Sequence, residues 1–260
     1  MYLQYVCNDL QCISSTTTQK RYKMTSSLID LTKSAKISLE KKSKTPISAQ
    51  VKIIIDASGS MSSMYNNGTV QNVVTRCLAL ALNIDKDKSM EVIAFDNSIL
   101  DLGEATASNY ENFINPKKIM NTLGGGTSYS PPLRNLVEKK VLKEATPVGF
   151  FKGLFGKKPA PVVESVPAQT NPIFVMMITD GEASDNQSTR DAIKDLGKNA
   201  YVQFVGIGTE QFKFLQDLAD DFDNCGFSKI ENIQNISDDA LYDTLVNSEF
   251  VSWYNKFLSK

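Results

Sequence analysis

Two buried strands that lead into aspartates constrain the fold of this chain most. Val51–Ile55 and Ile173–Ile178 are apolar runs, and Asp56 and Asp180 stand at their ends. Runs that are apolar on both faces are typical of parallel strands covered by helices on both sides. Amphipathic helical segments such as Thr69–Asn83 alternate with the strands. The sequence therefore predicts an α/β fold with a Rossmann-like, doubly wound, mostly parallel central sheet flanked by helices.

Further segments complete this alternation of strands and helices. Met90–Phe95 predicts a second strand, and Ile99–Leu102 predicts a short third strand that pairs with it as a hairpin. This hairpin gives the sheet one antiparallel edge strand. The sequence of Ser188–Asp191 has the form of a capping box and predicts the start of a helix. Ser237–Leu258 predicts one long closing helix.

The chain divides into three parts. Residues 1–23 are interpreted as a disordered tail or as translation from an upstream start, with Met24 as the alternative initiator. Residues 24–47 predict an N-terminal amphipathic helix followed by a linker, and residues 48–260 predict the α/β domain. Within that domain, residues 146–172 predict a flexible insertion, because so long a connection without clear structure is unusual in a compact domain.

Composition excludes several classes of function. Histidine is absent, which rules out a Ser-His-Asp or Cys-His catalytic centre and a zinc site that needs imidazole. With 28 basic and 29 acidic residues the net charge is -1, so no nucleic-acid partner is expected. The 4 cysteines are scattered as in a protein with reduced thiols. No apolar run approaches ~18 residues and no signal-peptide pattern occurs, so we expect a cytoplasmic protein.

Three loops carry oxygen ligands suited to a metal ion. They offer Asp56, Ser58 and Ser60 in the first loop, Thr127 in the second and Asp180 in the third. Ligands of open α/β sheets bind beyond the carboxyl ends of the strands, near the point where strand order reverses. Two carboxylates and three hydroxyls suit Mg²⁺ and equally Mn²⁺, whereas Ca²⁺ usually takes more carboxylates.

The pattern Asp56-x-Ser58-x-Ser60, then Thr127, then Asp180-Gly181 resembles the metal-ion-dependent adhesion site of von Willebrand factor type A domains. The similarity covers about residues 48–235. The flanking segment Leu28–Lys42, together with the segment Asp180–Asp185, resembles bacterial tellurium-resistance and general-stress members. The resemblance implies that the three hydroxyls ligate the ion, that the two aspartates bind it directly or through water, and that a partner's Asp or Glu carboxylate completes the shell.

The resemblance implies a cytosolic, Mg²⁺-dependent protein-interaction module without catalytic residues, in a stress or tellurium-resistance type of system. The alternative is a metal-dependent hydrolase, such as a phosphatase, because metal sites at strand ends support phosphoryl chemistry. Against it, Ser58 stands where haloacid-dehalogenase-type enzymes carry a second aspartate, and residues 124–127 lack the lysine of a P-loop. A third hypothesis is a scaffold that uses the fold without metal.

Several residues near the three loops have more than one interpretation. Asp56 and Ser58 also suit helix capping, and Glu182 and Asp185 are interpreted as solvated residues that open a helix. The apolar residues near the loops either pack in the core, which we favour, or contact a partner; they are Met61, Met64, Tyr65 and Tyr129. Residues 150–158 mix aromatic and basic side chains, which suits either a flexible loop or contact with an anionic membrane or a partner.

Overall fold

A computed structural model of the protein describes residues 27–145 and 171–259, except for the side chains of residues 139–145. The predictions for residues 1–23, for 146–170 and for the segment 150–158 lie outside these ranges. The strands are β1 (Gln50–Asp56), β2 (Ser89–Phe95), β3 (Ile99–Thr106), β4 (Ile173–Thr179), β5 (Ala200–Ile207) and β6 (Cys225–Ile230). The helices are α1 (Leu28–Lys42), α2 (Ser62–Asn66), α3 (Thr69–Ile84), α4 (Pro116–Thr122), α5 (Ser130–Ala145), α6 (Asn186–Leu196), α7 (Lys213–Asp221), α8 (Asp238–Leu245) and α9 (Ser248–Leu258).

The strands form one 6-stranded sheet in the order β3-β2-β1-β4-β5-β6. All neighbouring strands run parallel except β2 and β3, which pair antiparallel. The predicted doubly wound, mostly parallel sheet with one antiparallel edge strand is therefore confirmed. The edge strand β3 continues to Thr106, beyond the predicted Ile99–Leu102.

Two apolar layers cover the faces of the sheet. On one face, Ile53 and Ile55 of β1 share a core with α3, α8 and α9. On the other face, Ile54 of the same strand shares a core with α5, α6 and α7. Because successive side chains of a strand point to opposite faces, a strand that fills both cores must be apolar at most of its positions. This is the physical reason for the apolar runs seen in the sequence.

The N-terminal helix α1 lies outside the sheet and packs against α3 and α8. Its buried side includes Leu28, Leu31 and Ala35. The side chain of Asn83 on α3 donates to the carbonyl of Thr32 at 3.0 Å. The predicted amphipathic helix is thus present, and it bridges an early and a late helix of the domain.

The closing segment differs from its prediction. Two helices, α8 and α9, stand in place of one long helix over Ser237–Leu258. The break falls at Asn247, whose side-chain oxygen accepts the amide N–H of Phe250 at 2.9 Å. An asparagine that caps a new helix start explains the break, and the apolar spacing alone did not reveal it.

The cysteines within the described ranges are buried. Cys77 and Cys225 are free thiols buried in the core, and burial raises the pKa of each to about 12. Cys77 of α3 is fully buried. Within residues 27–145 and 171–259, no helix has both the length and the apolar character needed to cross a membrane.

One buried ion pair interrupts the apolar character of the central strands. Lys52 of β1 lies opposite Glu91 of β2 in the parallel register, and its ammonium contacts the Glu91 carboxylate. The Lys52 side chain is only 10% exposed and that of Glu91 19%. Removing one partner of such a pair leaves the other charge poorly solvated.

We expect Glu91→Gln to lower the free energy of unfolding by about 1.5–3 kcal/mol, the usual worth of a hydrogen bond to a charged group. The double variant Lys52→Met/Glu91→Leu should recover most of this loss, because no charge is left unpaired. Urea denaturation measures both. As a control, Glu40→Gln removes an exposed pair with Lys36 and should change stability by less than about 0.5 kcal/mol.

Candidate metal centre

The candidate site lies where the strand order reverses. β1 and β4 are neighbours in the middle of the sheet. Helix α3, which follows β1, packs on one face, and helix α6, which follows β4, packs on the other. Such a reversal opens a crevice at the carboxyl ends of the two strands, where open α/β sheets bind ligands. Asp56 ends β1 and Asp180 directly follows β4, so both stand at this crevice.

The first loop is organised by the buried carboxylate of Asp56. One carboxylate oxygen, Oδ1, accepts the amide N–H of Ser58 at 2.7 Å. The other, Oδ2, accepts the hydroxyl of Thr179 at 2.6 Å. Oγ of Ser58 lies 3.1 Å from Oγ of Ser60. The loop then continues as a 3₁₀ turn over Gly59–Met61, so the two serine hydroxyls face the same space above Asp56.

Asp180 joins this group from the end of β4. Its Oδ1 accepts the hydroxyl of Ser60 at 2.8 Å. The set therefore runs without interruption from Asp56 through Ser58 and Ser60 to Asp180. Asp56 is 0% exposed and Ser58 4%, whereas Ser60 is exposed and Asp180 half-buried. The site opens to solvent on the side of Ser60 and Asp180.

Thr127 is held between the other two loops by its backbone neighbours. The carbonyl of Gly125 accepts the amide N–H of Gly59 at 3.2 Å, and the carbonyl of Thr127 accepts that of Ser184 at 3.2 Å. In the part of the chain that the structure describes, these backbone contacts connect the Thr127 loop to the loops of the other predicted ligands, and no hydrogen bond joins the Thr127 side chain to those ligands. The fold thus assembles all three predicted loops at one edge of the sheet.

Burial raises the pKa of both candidate carboxyl groups. For Asp56, burial raises the pKa most, hydrogen bonds from Thr179 and Ser58 oppose it, and the charge of Asp180 adds to the rise. For Asp180, burial again has the largest effect, the Ser60 hydroxyl opposes it, and the charge of Glu210 adds to it. Two desolvated carboxylates that repel each other are stabilised by a cation placed between them.

The donor set fits a small divalent cation. Carboxylate and hydroxyl oxygens are hard ligands, and Mg²⁺ is usually held by one or two carboxylates while it keeps several waters. Among the described residues, no group of three or more His, Cys, Asp or Glu side chains is arranged so that it could hold a metal ion. A site for a cation that prefers several carboxylates is therefore less well matched here than a site for Mg²⁺ or Mn²⁺.

Asp96 supports the loop that carries Thr127, a role that the sequence did not predict. Its Oδ2 accepts the amide N–H of Gly125 at 3.0 Å, and its Oδ1 accepts that of Ser98 at 2.8 Å. Burial acts to raise the pKa of Asp96, but these backbone hydrogen bonds outweigh it and lower the pKa. A Cβ at Gly125 would lie 2.9 Å from Oδ2 of Asp96, which explains this glycine. The available signal was that β2, like β1, leads straight into an aspartate.

Asp185 corrects another expectation. The sequence predicts a solvated residue that opens a helix at this position, and Asp185 does precede α6. Its carboxylate, however, accepts the amide N–H groups of Tyr129 at 2.9 Å and of Ser130 at 2.8 Å. Helix α6 also begins at Asn186, before the predicted capping box over Ser188–Asp191. Glu182, by contrast, is exposed as expected.

The apolar residues near the site belong mainly to the core. Met61, Tyr65 and Tyr129 are 1%, 1% and 0% exposed, which confirms packing as their main role. The hydroxyl of Tyr65 donates to the carbonyl of Asp56 at 3.1 Å, and that of Tyr129 donates to the carbonyl of Gly181. Met64 is half-buried and lines a cleft of about 440 Å³ that Asp180 also borders.

The sheet order and the three converging loops define a von Willebrand factor type A domain. A family model described as the vWA domain found in the TerF C terminus matches residues 48–260, so the chain belongs to this vWA-TerF-like family. The match bears out the resemblance to the tellurium-resistance group. Domains of this type generally mediate protein–protein interactions.

This chain is similar in sequence to a bacterial protein and in fold to several solved structures. The uncharacterized protein YcbR of Bacillus subtilis (strain 168) is 33% identical over 242 residues, which span 89% of this chain and 88% of that protein. A von Willebrand factor type A structure from Catenulispora acidiphila is 16% identical and covers 81% of this chain and 42% of its own, with a TM-score of 0.46. The D319A mutant of the PilB minor pilin from Streptococcus sanguinis is 13% identical and covers 84% of this chain and 64% of its own, with a TM-score of 0.49.

Proposed function

We propose that this protein is a Mg²⁺-dependent protein-interaction module of the cytoplasm, which binds a carboxylate of a partner protein at the candidate metal centre. The observation that carries the proposal is the continuous set from Asp56 through Ser58 and Ser60 to Asp180 at the strand-order reversal. The system it serves is proposed to be a stress or tellurium-resistance system, on the strength of the family it belongs to.

Each part of the site has a distinct role in this proposal. The hydroxyls of Ser58, Ser60 and Thr127 would hold the ion, and Asp56 and Asp180 would bind it directly or through water. Mn²⁺ would suit the same ligands, and Ca²⁺ would suit them less well. When bound, the ion supplies an electrophilic coordination position to which an external carboxylate can bind.

The surroundings of the site support access for a partner. Ser60 is exposed, and Asp180 borders the cleft of about 440 Å³. Asp56 lies beneath them and is fully buried, so one of the protein's two carboxylates occupies the inner side of the site. An incoming carboxylate would therefore approach from the solvent side of Ser60.

We expect capture from a lysate of the source organism to depend on the metal. Tagged wild-type protein should retain partners in Mg²⁺ and lose them in EDTA, and Asp180→Ala should lose the same partners. Glu182→Ala is the matched control, because it removes an exposed carboxylate from the same loop. Blocking the carboxylates of the captured partner by amidation should also abolish binding. Partners that stay bound to Asp180→Ala or in EDTA would contradict the proposal.

We further propose that the protein is not an enzyme. Ser58, which would be an aspartate in a haloacid-dehalogenase-type phosphatase, here joins its hydroxyl to that of Ser60. Incubation with aryl phosphates or nucleotides in Mg²⁺ or Mn²⁺ should give no turnover. Turnover that disappears in Asp180→Ala would establish the hydrolase alternative instead.

A further inference from the structure

Asp185 caps a helix other than its own. It occupies the N-cap position of α6, yet its side chain makes no capping bond to the amides of α6, all of whose residues are described. Its Oδ1 instead accepts the amide N–H of Tyr129 at 2.9 Å, and its Oδ2 accepts that of Ser130 at 2.8 Å. The hydroxyl of Thr189 lies 3.3 Å from Oδ1. The carboxylate thus caps the N-terminus of α5, where it is also favoured by the helix dipole.

This arrangement ties together two loops of the candidate metal centre. Asp185 ends the loop that begins at Asp180, and Tyr129 and Ser130 end the loop that carries Thr127. Three further hydrogen bonds join the same loops. The Thr127 carbonyl accepts the Ser184 amide N–H at 3.2 Å and the Ser184 hydroxyl at 3.5 Å, and the Tyr129 hydroxyl donates to the Gly181 carbonyl. Among the described residues, Asp185 is the only one whose carboxylate joins these two loops by hydrogen bonds.

We propose that Asp185 is a positioning residue that fixes Thr127 relative to Asp180 and thereby sets the affinity of the centre for Mg²⁺. The inference rests on the proposed function, because it assigns a role to a residue that supports that same centre. Residues that orient metal ligands contribute to affinity even though they do not touch the ion. The Asp185 carboxylate would contribute to Mg²⁺ affinity in this way, because its bonds to the backbone of the neighbouring loop keep Thr127 from moving away from Asp180.

The test compares Asp185→Asn with a cap elsewhere in the fold. Asn keeps a good N-cap residue before α6, but only one of its two side-chain atoms can accept an amide N–H, so one bond to the Thr127 loop is lost. The matched control is Ser237→Ala, which removes the cap of α8, where Oγ of Ser237 accepts the amide N–H of Ala240 at 3.2 Å. Mg²⁺ affinity is measured by calorimetry, and metal-free stability by urea denaturation.

We expect both variants to lose a similar amount of metal-free stability, and only Asp185→Asn to bind Mg²⁺ about 10–100-fold more weakly than wild type. Equal Mg²⁺ affinity of Asp185→Asn and wild type would overturn the inference and leave the proposed function intact. Equal weakening by Ser237→Ala would overturn it too, because the effect would then follow from stability alone. A wild-type protein without Mg²⁺ affinity would overturn both proposals. If Asp185→Asn does not fold, Asp185→Ser provides the same comparison.

Discussion

Asp180→Ala should abolish Mg²⁺ binding, with an affinity loss of more than about 100-fold. Replacing a residue that merely orients a ligand lowers metal affinity by about 10–100-fold, and Asp180 is proposed as a ligand. The variant removes one of the two carboxylates of the centre and also leaves the hydroxyl of Ser60 without the acceptor it has at 2.8 Å. Titration of the metal-free protein with Mg²⁺ in a calorimeter measures the loss.

The fold of Asp180→Ala should survive the change. Asp180 is half-buried, burial raises its pKa, and the hydrogen bond it loses is worth about 1 kcal/mol. Glu182→Ala serves as the control for a general loss of negative charge, and it should bind Mg²⁺ as wild type does. If both variants bound Mg²⁺ equally weakly, Mg²⁺ binding would depend on surface charge rather than on specific ligands.

Phe250→Ala should lower the free energy of unfolding by about 3–5 kcal/mol, the usual range for a buried phenylalanine. Phe250 is 0% exposed and stacks on Phe174 of β4 with ring centroids 4.2 Å apart. Its ring also lies 5.3 Å from that of Tyr201 and 6.1 Å from that of Trp253. The deletion leaves a cavity between α9 and the sheet that these rings cannot close.

The control for this prediction is Leu258→Ala on the same helix. Leu258 is 42% exposed, so its truncation should change stability by less than about 0.5 kcal/mol. Thermal or urea denaturation distinguishes the two variants. A small effect of Phe250→Ala would show that α9 is not fixed to the sheet by this aromatic cluster.

Much of the fold could be predicted because its signals are local. The apolar strands Val51–Ile55 and Ile173–Ile178 must fill a core on each face of the sheet, and that requirement is visible in the sequence itself. The oxygen ligands of the first loop are likewise read from alternating positions along a few residues. The hairpin partner of Met90–Phe95 follows it closely in the sequence, so the antiparallel edge was also predictable.

Features that depend on distant partners could not be predicted. Asp185 lies 55 residues from Ser130, whose amide it accepts, and in sequence it is indistinguishable from an ordinary helix opener. Asp96 bonds to Gly125 across a gap of 29 residues. Lys52 interrupts an apolar run, and only the strand register shows that Glu91 lies opposite it. The roles of such residues depend on tertiary contacts, and the periodicity of the sequence does not predict these contacts.

The central claim is that Mg²⁺ binds the folded protein at the crevice between β1 and β4, and thermal denaturation of the wild type in Mg²⁺ and in EDTA tests it most directly. A ligand that binds only the native state stabilises that state by about 2.7 kcal/mol when its concentration is 100 times its Kd. For a domain of this size, that corresponds to a rise in Tm of about 5–10 °C. We predict this rise for wild type and Glu182→Ala, and its absence in Asp180→Ala. An identical Tm of the wild type in Mg²⁺ and EDTA, across saturating concentrations, would contradict the account.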